Sequence, residues 1–158
     1  MSENIFIGQD NDGGFQAALE SIVPGSLLIV HASFKPFKQT GLTPTAVIKS
    51  LLECLGEDGT LMMPTFTYCY VNYPSKTAYD PKTTVGVENG ILSETFRMMP
   101  GVIRSNNPTY SVAAIGRFAQ ELTTGSKDNA GLGHGSSYET ALKLGAKILL
   151  LKIGRAHV

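Results

Sequence analysis

Two rhythms of apolar residues run along the chain. In the first, apolar side chains recur every three or four residues. Phe15, Ala18, Leu19 and Ile22 predict a helix over 15–23 that stops at Pro24-Gly25. Val47, Ile48, Leu51, Leu52 and Leu55 mark one face of a second helix. Thr43 is placed to cap it, Pro44 to open it and Gly56 to end it. Ile91, Leu92, Thr95 and Phe96 predict a third over 90–99, stopped by Pro100-Gly101, and shorter helices are expected over 118–122 and 138–144. The second rhythm is the short unbroken apolar run expected of a strand covered on both faces. It predicts strands at 27–30, 60–65, 102–105, 111–115 and 146–151. Strand, loop, helix, turn and strand between residues 27 and 65 make a βαβ unit, whose strands are almost always parallel. The expected fold class is α/β: one domain with a mixed, largely parallel sheet and flanking helices.

Between 66 and 87 both rhythms fail. The stretch FTYCYVNYPSKTAYDPKTTVGV has four tyrosines and two prolines. It reads either as a surface loop pinned by aromatic residues or as the rim of a ligand site.

Bulk composition narrows the classes. The 158 residues are 42% apolar and 16% charged, enough for one well-cored domain and too apolar for disorder. Thirteen basic residues balance thirteen acidic ones, so no nucleic-acid or anionic membrane partner is expected. No apolar run approaches the roughly 20 residues of a membrane helix, and MSENIFIGQD lacks the pattern of a signal peptide. Cys54 and Cys69 lack metal spacing and read as small apolar residues of a reduced, cytoplasmic protein.

Three stretches carry candidate chemistry. After the first long strand, HASFKPFKQTGLTP sets Ser33, Thr40, Thr43, Lys35 and Lys38 before a helix start. Such a loop at the carboxyl end of a strand suits a phosphate or pyrophosphate, though it matches neither a P-loop nor GxGxxG. His31, just after apolar residues, reads first as a satisfied core histidine and second as a ligand contact. The second stretch is RSNNPTYS, Arg104 to Ser111. Asn-Pro explains a turn, while Arg104 beside an apolar strand needs a carboxylate, a phosphate or carbonyls as partners. In the third, GHGSSYE, Ser136 and Glu139 have the spacing of a capping box, and His134 has no metal-site pattern.

Taken in order, LLIVHASFKPF, GEDGTLMMPTF, YDP, GILSETFR, PGVIRSNNPTYSVAAIG and GSSYETALKLGAKILLL resemble the aminoglycoside 3-N-acetyltransferases over about residues 20–151. The usual family forms are close to VHSSL, GTLxMPT, FDP, RSxHPxxS and SPY. The resemblance implies a fold distinct from the GNAT acetyltransferases, about twice the length of this chain. It implies acetyl transfer from acetyl-coenzyme A, with no metal, to the 3-amino group of an aminoglycoside antibiotic, and hence resistance. An alternative is N-acetylation of an aminosugar in surface polysaccharide synthesis; another is a non-catalytic module that binds a phosphate ligand. By position in the family motifs, His31, Ala32, Ser33, Phe34, Lys35, Thr40, Arg104, Ser105 and Ser111 fall at the cofactor site, and Tyr68 and Asp80 on the acceptor side.

The chain also departs from the pattern. Ala32 replaces the first serine of VHSSL, Asn107 the histidine of RSxHP, and SSY stands for SPY. The family's base, a histidine paired with a carboxylate, is expected beyond Leu151, so no catalytic residue is assigned within the chain. IGRAHV, which a common sequencing-adapter string encodes, does not match the family continuation, and His157 is not assigned as the base. Residues 1–151 are accordingly expected to be the N-terminal portion of one truncated, inactive acetyltransferase domain, and 152–158 a non-native tail. An uncovered last strand and sheet edge are expected to promote self-association.

Overall fold

Leu27–Ala32 (β2) and Thr60–Pro64 (β3) are the apolar strands on which the rest is assembled. They lie parallel, with Leu28 opposite Leu61 and Ile29 opposite Met62, as the βαβ reading requires. The computed structural model describes residues 5–7, 13–67, 79–124 and 131–151. In chain order the other elements are β1 (Ile5–Ile7), α1 (Gly13–Glu20), a 3₁₀ turn (Lys35–Gln39), α2 (Pro44–Leu55), a second 3₁₀ turn (Val87–Asn89) and α3 (Gly90–Arg97). They continue with β4 (Ile103–Arg104), β5 (Val112–Gly116), α4 (Ala119–Thr124), α5 (Ser137–Lys143) and β6 (Lys147–Leu151).

Among the described residues six strands form one sheet in the order β1-β6-β2-β3-β5-β4. Pairing is parallel from β1 through β6 and β2 to β3; β5 runs against both β3 and β4. The last strand is thus an interior strand. β6 is inserted between β1 and β2, with Leu149 and Leu151 buried and Ile148 and Leu150 partly exposed. The expectation that the last strand would stand uncovered is corrected by this insertion, since each neighbouring strand satisfies one of its edges. β1, too short to show a period, was not foreseen.

Alternation along the strands divides the core. Leu28, Val30, Leu61, Met63, Leu149 and Leu151 face α1, α2 and α3, where Ala18, Ile22, Val47, Ile48, Leu51, Leu92 and Phe96 meet them. Leu27, Ile29, Met62, Val112 and Ala114 face α4 and α5, where Ala119, Leu122 and Ala141 close the opposite side. Each large side chain buried in this way stabilises the fold by about 1.5–3 kcal/mol.

In α3 the buried residues are Leu92, Ser93 and Phe96, whereas Ile91 is 54% exposed. At 100° per residue Ile91 is turned away from the Leu92–Phe96 line, so the stripe expected from the sequence is one residue out of phase. The α2 boundaries agree with their signals. Thr43 Oγ1 accepts from Ala46 N at 3.1 Å, and Gly56 ends the helix at φ 69°.

Candidate functional site at the carboxyl edge of the sheet

The carboxyl ends of β6, β2 and β3 and the β4–β5 turn come level along one rim. Register sets Ala32 opposite Leu151, and Ser33 N donates to Leu151 O at 3.1 Å. Thr65 N donates to Ser111 O at 2.9 Å, while Ser105 N donates to Val112 O at 2.9 Å.

In the loop after β2 the anchor is Phe37. It is 1% exposed, edge-on to Phe15 at 5.3 Å and stacked on Phe34 at 5.7 Å. Ala32 and Phe34 pack partly against the same core. Two hydroxyls expected at an anion are already engaged: Thr43 caps α2, and Thr40 Oγ1 donates to Phe37 O at 2.8 Å. Ser33 Oγ has no hydrogen-bond partner among the described residues, and Lys35 and Lys38 are exposed. These three, with the opening turn of α2, are the groups open to a ligand. A groove lined by Phe15, Leu19, Phe37, Thr40, Leu42 and Ser50 runs beside them, between α1 and α2.

His31 stands on the Ile29 face at the end of β2, opposite Leu150. Burial holds its pKa below 6.5, and no described group hydrogen-bonds its ring. It therefore offers a neutral imidazole at the rim.

The RSNNPTYS turn is a closed polar knot. Arg104 Nε donates to Thr65 Oγ1 and Ser111 Oγ, both at 3.1 Å, and Nη2 donates to Thr65 O at 2.7 Å. Nη1 donates to Thr84 O and, at 3.5 Å, to Pro81 O. The guanidinium also lies 5.2 Å from the Tyr79 ring centre, and Tyr79 OH donates to Ser105 O at 2.8 Å. Of the three partner classes open to Arg104, the structure supplies carbonyls, joined by two hydroxyls. Ser105 and Ser111 are fully buried: Ser105 Oγ accepts from Val112 N at 3.0 Å, and Ser111 Oγ donates to Thr65 O at 2.6 Å. Asn107, in the place of the expected histidine, is 3% exposed, and its Oδ1 accepts from Thr109 N and Tyr110 N.

Asp80 is exposed in the turn that Arg104 holds. Its Oδ1 accepts from Lys82 N at 2.8 Å, and no basic side chain among the described residues pairs with it. Tyr68, Cys69 and residues 152–158, with His157, lie outside the described residues. At α5, Glu139 N donates to Ser136 Oγ at 3.1 Å. The Glu139 carboxylate accepts from Gly135 N, one residue before the cap. That N–H, then Lys143 and His134, hold the Glu139 carboxyl at about 2.

Sequence reading passed over Thr65, Glu94 and Arg97. Thr65 lies inside MMPTF, yet its partners are 39 and 46 residues away. Among the described residues no group of three or more His, Cys, Asp or Glu could hold a metal ion, and no helix is long and apolar enough to cross a membrane.

The aminoglycoside 3-N-acetyltransferase family model matches residues 29–158. The chain belongs to that family. Two relatives are aminoglycoside N(3)-acetyltransferase IV of Salmonella and aminoglycoside N(3)-acetyltransferase III of Pseudomonas aeruginosa. The first is 30% identical over 84% of this chain and 49% of its own length; the second is 34% identical over 81% and 50%. The chain thus spans about half the length of these curated relatives. Among solved structures, AAC-IIIb in binary complex with CoASH superposes with a TM-score of 0.74 at 24% identity, covering 89% of this chain and 59% of that one. A histidine-to-alanine mutant of AAC(3)-IVa in complex with apramycin gives 0.72 at 25% identity, covering 99% and 60%. The α/β fold of this chain is that of the aminoglycoside 3-N-acetyltransferases.

Proposed function

We propose that the chain carries the coenzyme A side of an aminoglycoside 3-N-acetyltransferase, an activity that confers antibiotic resistance. The observation that carries this reading is the capped N-terminus of α2 at the rim, beside Ser33, Lys35 and Lys38, in a chain of this family. Pro44 carries no N–H and Ala46 N is taken by Thr43 Oγ1, so in the first turn of α2 the N–H of Thr45, with Ser33 and the two lysines, suits the pyrophosphate of acetyl-coenzyme A. His31, Ala32, Phe34 and Thr40 line the approach. Arg104 and Ser111 shape the wall from behind, because their donors are spent on protein acceptors, and Ser105 stands with them, its Oγ accepting from Val112 N. Asp80 and Tyr68 belong to the acceptor side.

In the reaction the acceptor's 3-amino nitrogen attacks the thioester carbonyl. A C–N bond forms, the C–S bond breaks, and coenzyme A leaves as the thiol while the nitrogen gives up a proton. The base that takes that proton is assigned to family sequence beyond Leu151.

Two measurements test the proposal. CoASH should raise the melting temperature of the chain, and replacing Lys35 and Lys38 together by alanine should remove most of that rise. A form of the gene spanning the relatives' full length should release thiol from acetyl-coenzyme A when an aminoglycoside is added. No melting shift at millimolar CoASH, together with no thiol release, would sink the reading.

A further inference from the structure

We infer that Arg104 is a positioning residue that clamps 79–86 onto the end of β3 and thereby holds the Asp80 carboxylate for an ammonium group of the acceptor. The inference rests on the acetyltransferase reading and adds to it a device for acceptor affinity.

Residues 79–86 have no helix or strand to fix them. Tyr79 OH is tied to Ser105 O at 2.8 Å, and Arg104 donates to the carbonyls of Pro81 and Thr84. From the other side, α3 contributes Arg97 Nη1, which donates to Lys82 O at 2.8 Å, and Glu94 Oε2, which accepts from Gly86 N at 3.1 Å. Inside the turn, Asp80 N donates to Thr84 Oγ1 at 2.9 Å and Thr84 N to Asp80 O at 2.9 Å. The segment is bound on three sides, yet the Asp80 carboxylate stays exposed.

Only a planar fork can do this. Arg104 reaches Thr65, Ser111, Pro81 and Thr84 together, and a lysine ammonium has three donors on one atom. Gly86 leaves room for the fork. A Cβ there would lie 3.0 Å from Thr65 O and 3.5 Å from Arg104 Nη2, crowding their hydrogen bond. Glycine at 86 and arginine at 104 are therefore two halves of one clamp. An exposed carboxylate on a fixed turn meets a polycationic sugar without the entropy cost of ordering a loop.

Calorimetric titration of the chain with apramycin and, separately, with CoASH tests the clamp, in wild type and in Arg104→Lys, Gly86→Ala, Asp80→Asn and Arg104→Lys/Asp80→Asn. Each single substitution should weaken apramycin binding roughly tenfold, the loss of about one charge-assisted hydrogen bond. CoASH affinity should be unchanged in Asp80→Asn. If Arg104 acts through Asp80, Arg104→Lys adds nothing once Asp80 is asparagine. Amide exchange at Thr84 and Gly86 should quicken in Arg104→Lys and Gly86→Ala and stay slow in Asp80→Asn.

Asp80→Asn is an exposed isosteric change, so its result does not depend on a folding defect. Unchanged apramycin affinity in Asp80→Asn, additive effects in the double variant, or equal loss of CoASH and apramycin binding in Asp80→Asn each overturns the inference. A wild-type chain that binds CoASH and not apramycin overturns it too and leaves the acetyltransferase reading standing. A chain that binds neither takes both down.

Discussion

His31 shows how one side chain can link the core to the rim. Its pKa is lowered from 6.5 by burial, so the folded protein favours the neutral ring more than the unfolded chain does. The associated stability is complete above 6.5 and is lost as pH falls through the lower folded value. Replacing His31 by Gln, which cannot titrate, should flatten the fall in melting temperature between about pH 7 and pH 5. An unchanged slope in that window would show that His31 has the same pKa in the folded and unfolded chain, and that burial does not lower it. At this scale, what the sequence discloses depends on the reach of the bond. The caps of Thr43 and Ser136 were legible because each hydroxyl meets an N–H three residues on. Thr65 was not, because its hydroxyl meets Arg104 and Ser111, which only the sheet brings near. Arg104 could be recognised as needing partners, but their identity required the fold.

At the scale of elements, α3 serves the rim as much as the core. Leu92 and Phe96 bury one face, while Glu94 and Arg97 hold the 79–86 segment from the side. Burial would push the Glu94 carboxyl up; the Arg97 hydrogen bond, Gly86 N and the charges of Arg97 and Arg104 outweigh it and hold the pKa below 4.5. The stability from this pairing is present above 4.5 and is lost as pH falls through the lower folded value. Glu94→Gln should cost about 1–3 kcal/mol near neutrality, as for a hydrogen bond to a charged group. It should also remove part of the acid limb of the stability curve below pH 4.5. Denaturant melts of both proteins at neutral and acid pH would check this; equal losses at both pH values would contradict it. Elements with a full turn or more of periodic residues were legible, α2 most clearly. The 3₁₀ turns and β1 were not, since three to five residues carry no period.

For the whole molecule, the sheet joins two cores that share no side chain. Met62 and Met63 are neighbours in β3, 0% and 1% exposed, yet alternation sends Met62 to the α4–α5 side and Met63 to the α1–α2–α3 side. The parallel pairing of β2 and β3 followed from the βαβ pattern. The insertion of β6 beside β2 and the reversal of β5 did not, because strand order depends on contacts between residues far apart in sequence. That long-range pairing should make the two cores melt together. Every interior strand contributes residues to both faces, so neither layer can loosen without removing the backing of the other. Met62→Ala and Met63→Ala should each cost about 2–5 kcal/mol, the usual range for a large residue truncated in a packed core. At roughly 2–4 °C per kcal/mol for a domain of this size, both variants should melt well below wild type. The decisive comparison is between probes. Near-UV circular dichroism reports the tyrosines, of which Tyr138 packs on the Met62 side, and far-UV reports helix on both sides. One unit requires the two signals to lose structure at the same temperature in both variants. If Met62→Ala moves the tyrosine signal and leaves most of the helix signal in place, the layers are separately stable, and the rim between them is a hinge.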